Sequence, residues 1–126
     1  MRVLLLKTFR RFQRREGITD DALAEAVARA ERGLIDVGLG GGLVKQRVAR
    51  PGGGKSGGYR TVITYREGAR AVFLLGFAKS ERDNIDDDEL ADLRQLGAAA
   101  LNNDEAAIDA AIAASKLWEI DYVDED

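Results

Sequence analysis

The chain has 126 residues, one domain of ordinary size, and 45% of them are hydrophobic, which supports a single core. It contains no cysteine and no histidine, so disulfides, thiolate chemistry and the usual imidazole base, proton shuttle and metal ligand are excluded. The net charge of −3 conceals a division: residues 1–82 hold 17 Lys/Arg against 8 Asp/Glu, whereas residues 83–126 hold 2 against 14. A basic body is followed by an acidic C-terminal third.

The apolar stretch before Lys7 is too short for a secretory signal, and the longest apolar run, residues 71–78, is too short to cross a bilayer. The expectation is a cytoplasmic protein with no membrane partner. Residues 2–7 read as a strand. A helix over 8–16 places Phe9 and Phe12 on one face and Arg10, Arg11, Arg14 and Arg15 elsewhere, with Gly17 where a C-terminal cap glycine belongs. Thr19 or Asp20 caps a second helix in which Leu23, Ala26, Val27 and Ala30 keep helical spacing, ended by Gly33.

Residues 43–50 and 59–66 are predicted as the strands of a hairpin, joined by "PGGGKSGG". A tight turn containing Gly68 leads into a strand over 71–78, whose unbroken apolar run fits burial on both faces. Asp86 with Glu89 three residues later opens a third helix in capping-box style, with Leu90, Leu93, Gly97 and Leu101 on one face. Four acids in that first turn also suit the helix dipole. An alanine-rich fourth helix covers 103–115, after which Trp118, Ile120 and Tyr122 alternate with acids as in a strand. This order is α+β: a small curved antiparallel sheet, two N-terminal helices (β-α-α-β-β-β-α) and a C-terminal helical, acidic extension. The division expected is a domain over 1–102 and an extension over 103–126.

Ala49 to Ser56 fits a relaxed [AG]-x-x-x-x-G-K-[ST] phosphate loop. Such a loop needs a helix N-terminus immediately after it to face the phosphates. Here residues 57–65 are β-branched, aromatic and strand-like, so the match is accidental. The same segment suits a polyanionic backbone instead. Lys45, Arg47 and Arg50 precede it, Lys55 lies within it, and Arg60 follows. Alternation puts Lys45 and Arg47 on one strand face, where each phosphate contact would release counterions. Tyr59 and Tyr65 would offer stacking surface to unpaired bases. The alternative is a hairpin tip carrying solvating charges. Lys79 and Arg82 end the apolar strand, which would hold two cations rigidly, unless Glu81 simply pairs with one of them.

The run "GGYRTVITYREGARAVFLLGFAKSERDNI", with "ERGLIDVGLGGGLVKQRVARPGGGKSGG" before it, resembles the RelE/HigB-type toxins of bacterial type II toxin–antitoxin systems, nearest the HigB-like branch. The resemblance covers roughly residues 1–101, and "KSGGYR" and "FAKSERDNI" carry it. It implies an endoribonuclease that cuts messenger RNA, usually in the ribosomal decoding site, without cofactor or metal. A cognate antitoxin would hold it inactive, and operator DNA would be a partner only of the toxin–antitoxin complex. The family's strand arginine would be Arg60, its preceding cations would come from Lys45, Arg47, Arg50 and Lys55, and those closing the last strand would be Lys79 and Arg82. The best-known members place a tyrosine soon after that cluster; here Asp83, Asn84, Ile85 and Asp86 follow, so that role is empty or falls to Tyr59 or Tyr65.

The reaction implied is attack of a ribose 2′-OH on its adjacent phosphate. Arg60 and Arg82 would stabilise charge on the phosphate, and Lys79 or Lys55 would act as base or acid if neighbours lowered a pKa of about 10.4. A catalyst of this kind is weak on free RNA, which makes ribosome dependence the expectation. The acidic residues 103–126 are expected either to fold over the basic surface or to serve solubility. Two other functions fit the pattern: a non-nucleolytic toxin acting on DNA gyrase, and a nucleic-acid-binding module acting only with its antitoxin, with Arg10, Arg11, Arg14 and Arg15 as a phosphate-contacting helix.

Overall fold

The computed structural model describes residues 1–50, 58–82 and 84–123. Lys55 therefore lies outside the described residues, as does Asp83. The elements are β1 (Arg2–Leu6), α1 (Lys7–Glu16), α2 (Asp20–Glu31), β2 (Val37–Gly40), β3 (Leu43–Val48), β4 (Tyr59–Arg66), β5 (Arg70–Ala78), α3 (Asp87–Asn102), α4 (Glu105–Ala113) and β6 (Leu117–Ile120). They build one six-stranded sheet in the order β2-β3-β4-β5-β1-β6. The α+β class holds, and the meander β2 to β5 is antiparallel, but β1 joins β5 in parallel register, Leu4 beside Val72.

Two apolar clusters form on the two faces of this sheet. Phe9 and Phe12 of α1, with Leu23, Ala26 and Val27 of α2, pack against Val3, Leu5, Val44, Ile63 and Phe73. On the opposite face Leu93 and Ala100 of α3 and Ile108 of α4 pack against Leu4, Leu43, Val62 and Val72. Residues from β1, β3, β4 and β5 contribute to both clusters, which is why their apolar content exceeds simple alternation.

Local signals set most helix ends. Gly17 adopts a left-handed conformation at the end of α1 (φ 70°), Thr19 accepts from the Ala22 N–H, and the Asp86 carboxylate accepts from the Glu89 N–H at 2.8 Å. Asp104 caps α4 in the same way, accepting from Ala107 at 2.8 Å. The first expected hairpin strand ends at Val48 while the second spans 59–66 as expected, and β2 is an addition: Val-Gly-Leu-Gly has little strand propensity, and its pairing to β3 sets it.

Among the described residues, the acids of 103–123 do not reach the strand cations Lys45, Arg47 and Arg60. Glu105, Asp109 and Glu119 gather instead on Arg2 of β1 at 2.6, 2.9 and 2.8 Å, and β6 is separated from β4 by β5 and β1. Arg70 is buried at the same end of the sheet. It donates to the Ala100 and Asn103 carbonyls at 2.8 and 2.7 Å and pairs with Glu105, which satisfies the C-terminal carbonyls of α3. The two arginines, Arg2 foremost, hold the Glu105 carboxyl below its usual pKa range.

In β5, Leu75 stands opposite Val62 while Phe73 stands opposite Ile63, so Leu74 is an extra, bulged residue. Beyond it, Gly76 lies under the α1 rings. A Cβ there would meet Phe12 Cε2 at 2.4 Å and Phe9 Cε2 at 2.9 Å. Gly76→Ala is expected to destabilise the fold by about 1–3 kcal/mol through overpacking, read as a lowered midpoint in urea unfolding.

Candidate functional site

Register across three strands builds the site. Arg47 pairs with Arg60, and Arg60 pairs with Phe77, so the three residues form a row across β3, β4 and β5. Neighbouring members of such a row are about 5 Å apart at Cα. Arg60 has the parity of Val62, and Lys45 pairs with Val62. Lys45, Arg47 and Arg60 thus share the sheet face on which α3 packs, near its uncovered end. Arg60 is half-buried, and its side chain makes no hydrogen bond or ion pair with a described residue.

Two concavities adjoin this row. One, of about 270 Å³, is lined by Asp36, Val37, Lys45, Arg47 and Arg60. The other, of about 390 Å³, lies at the root of the β3–β4 hairpin and is lined by Glu25, Arg29, Arg47, Val48, Ala49, Gly58 and Arg60. Asp36 ties their common wall together. Its carboxylate accepts from the Arg47 backbone N–H at 2.7 Å and from Arg29 at 3.4 Å, and its own N–H donates to Gln46. Arg29 also pairs with Glu25 at 2.9 Å and donates to the Arg47 carbonyl. The backbone of β3 is therefore fixed where Arg47 leaves it. Among the described residues no group of three or more acidic side chains is arranged to hold a metal ion.

Phe77 and Arg82 extend the row. The Arg82 guanidinium lies 4.7 Å from the Phe77 ring centroid and makes a two-pronged pair with Glu89, at 2.9 and 3.1 Å. Arg82 is thus held rigidly, but with a carboxylate already on it. Lys79 is exposed just past β5 and has no side-chain partner among the described residues. Glu81 pairs with neither cation; the acid that meets Arg82 is Glu89.

The tyrosines stand elsewhere. Tyr59 and Tyr65 have the opposite parity to Arg60 and pack into the α1–α2 side of the sheet. Tyr59 is 2% exposed, edge-on to Phe12, with Arg50 5.8 Å from its ring centroid. The Tyr65 hydroxyl donates to Glu31. Neither ring is offered beside Arg60, which corrects the stacking role expected of them: strand alternation sends adjacent residues to opposite faces. Sequence reading missed Asp36, Arg29, Phe77 and Glu89. Only Glu89 carried a signal, as the third residue of the α3 cap, and that signal concerned the helix.

Burial, and then Glu31, raise the Tyr65 pKa well above 10.0. A folded-state pKa raised above the unfolded value means that the stabilisation is complete below about pH 10 and is lost as pH climbs toward the folded value. The stability advantage of the wild type over Tyr65→Phe is therefore expected to shrink above about pH 10, measured by urea unfolding at successive pH values.

No curated protein matches this sequence. The family model for the RelE toxin of the RelE/RelB toxin–antitoxin system matches residues 1–120, a span that takes in every strand of the sheet and the whole cationic row. The chain belongs to the RelE toxin family and is by that kinship the toxin of a toxin–antitoxin system, with an antitoxin as its partner.

Proposed function

We propose that this toxin is an endoribonuclease that cuts messenger RNA on the ribosome. The observation that carries the reading is Arg60, whose side chain has no partner among the described residues, set on a central strand between Arg47 and Phe77 and opening on two concavities. A guanidinium carried on a central strand, with no carboxylate partner among the described residues, is suited to a phosphate whose charge grows during reaction.

In this reading the 2′-oxygen of a ribose attacks the adjacent phosphorus and loses its proton. The bond from phosphorus to the 5′-oxygen breaks, and that oxygen takes up a proton. The products are a 2′,3′-cyclic phosphate and a 5′-hydroxyl. Arg60 stabilises the pentavalent phosphate, while Lys45, Arg47 and Arg50 hold the flanking backbone. Arg82 contributes once a phosphate oxygen competes with Glu89 for its guanidinium. Lys79 and Lys55 are the candidate proton carriers. With neither histidine nor cysteine in the chain to move the proton, alignment of the 2′-OH has to come from outside. That favours a ribosome-held message over free RNA. Operator DNA belongs to the complex with antitoxin.

The test is primer extension on a translating message with and without ribosomes. Wild-type protein is expected to cut only with ribosomes, and Arg60→Ala to reduce cutting about 10²–10³-fold. Undiminished cutting by Arg60→Ala removes Arg60 from the site, and the absence of wild-type cutting under both conditions removes the nuclease reading. Lys45→Ala is expected to weaken RNA binding and lower the slope of log affinity against log salt by about 0.7, as for one lost phosphate contact on a single strand.

A further inference from the structure

A second cationic surface lies on the other side of the sheet. Helix α1 has one acid, Glu16, against Lys7, Arg10, Arg11, Arg14 and Arg15. Phe9, Phe12 and Gln13 face the core. At about 100° per residue, Arg10, Arg14, Lys7 and Arg11 then fall within roughly 100° of arc on the outer side. Lys7, Arg11 and Arg14 are exposed, and their side chains have no partner among the described residues.

This arrangement works against the helix that carries it. Lys7–Arg11, Arg10–Arg14 and Arg11–Arg15 are three like-charge pairs at i,i+4, which destabilise a helix. Lys7 also sits in the first turn, where no acid offsets it against the positive end of the dipole. Two cations of the helix have acids near them, Arg10 with Asp20 at 3.6 Å and Arg15 with Glu16 at 3.5 Å, but Lys7, Arg11 and Arg14 have none among the described residues.

Next to the stripe is an exposed aromatic ring. Trp118 of the edge strand β6 has the parity of Ile120, which packs on the α1 side; it is 41% exposed, and the Arg10 guanidinium lies 5.0 Å from its ring centroid. Arg10 is itself anchored by Gln13 at 2.7 Å, so the ring and its cation are fixed together. Lys116, also exposed, abuts the start of α1, its carbonyl accepting from the Lys7 N–H at 3.3 Å.

We propose that the outer face of α1, with Lys116 and Trp118, is a second RNA-binding surface. It takes a phosphate backbone on Lys7, Arg11 and Arg14 and an unpaired base against Trp118. An acidic protein segment would satisfy the cations equally well, but it has no use for an exposed indole held under a guanidinium, whereas base stacking does. The surface goes beyond the nuclease site, since α1 and the Arg60 row lie on opposite faces of the sheet.

Trp118 is the chain's single tryptophan, so its fluorescence reports this surface. Poly(U) and, separately, poly-L-glutamate would be titrated into Arg60→Ala protein, which keeps binding at α1 independent of any cleavage. Saturable quenching of Trp118 by poly(U) is expected. Arg11→Glu/Arg14→Glu should weaken it at least about tenfold and flatten the salt slope by about 1.4, two single-strand contacts at about 0.7 each. Because the substitutions turn all three i,i+4 repulsions into attractions, Tm should stay level or rise. No quenching by poly(U), or quenching that survives the double substitution, overturns the proposal. Quenching by polyglutamate alone assigns the face to an acidic protein and overturns it too. Binding lost together with a lowered Tm assigns the stripe to holding the fold, and the proposal fails in that case as well.

Discussion

The extra residue in β5 decides what the cationic face can be. Alternation along β5 puts Ala71 and Phe73 on the α1–α2 side; continued without interruption, it would send Phe77 there as well. The bulge at Leu74 shifts the phase, so that Gly76 and Ala78 turn toward α1 and Phe77 turns toward Arg60. Three consequences meet at that point. Gly76 is small where the α1 rings come closest, Phe77 completes the row with Arg47 and Arg60, and Arg82 gains a ring to lie on. One inserted residue thus couples the packing of the first helix to the placement of charge on the far side of the sheet.

The arginines divide by partnership rather than by position in the sequence. Arg2, Arg29, Arg70 and Arg82 each engage a carboxylate, Arg2 and Arg70 far along the chain, Arg29 within its own helix and Arg82 seven residues on. Arg11, Arg14, Lys45 and Arg60 have no such partner among the described residues. Their charges repel one another, and a folded protein loses stability by keeping them close. Among the described residues, Glu105, Asp109 and Glu119 thus neutralise Arg2 and Arg70, Glu89 takes Arg82, and Lys45, Arg60, Arg11 and Arg14 are left without a carboxylate.

Much of this fold was legible in the sequence because local chemistry set it. Gly17, Thr19 and Asp86 end or begin helices for reasons contained in a few residues, and the strands of β4 and β5 announce themselves by β-branched and apolar runs. What was not legible depends on partners distant in the chain. β2 exists because β3 offers its edge, and the parallel pairing of β1 with β5 has no local mark. Of the site, Lys45 and Arg47 on one face follow from alternation alone. The loss of Tyr59 to the core also follows from alternation once Arg60 is placed, since neighbours on a strand cannot share a face. Asp36 reaches the site from an irregular segment, and Glu89 was read only as part of a helix cap.

The first strand of the chain is also among the last to be closed. β1 lies between β5 and β6, with Val3 beside Ala71 on one side and Ile120 on the other. A chain emerging from its N-terminus holds Arg2–Leu6 with both edges open until β5 is made and with one edge open until β6 follows. Such long-range pairing is slow to form, since loop-closure entropy comes before any contact rewards it. The sheet that carries Arg60 cannot be complete until Leu117–Ile120 has been made. A growing copy of this toxin thus lacks its finished sheet until Leu117–Ile120 has left the ribosome that is making it.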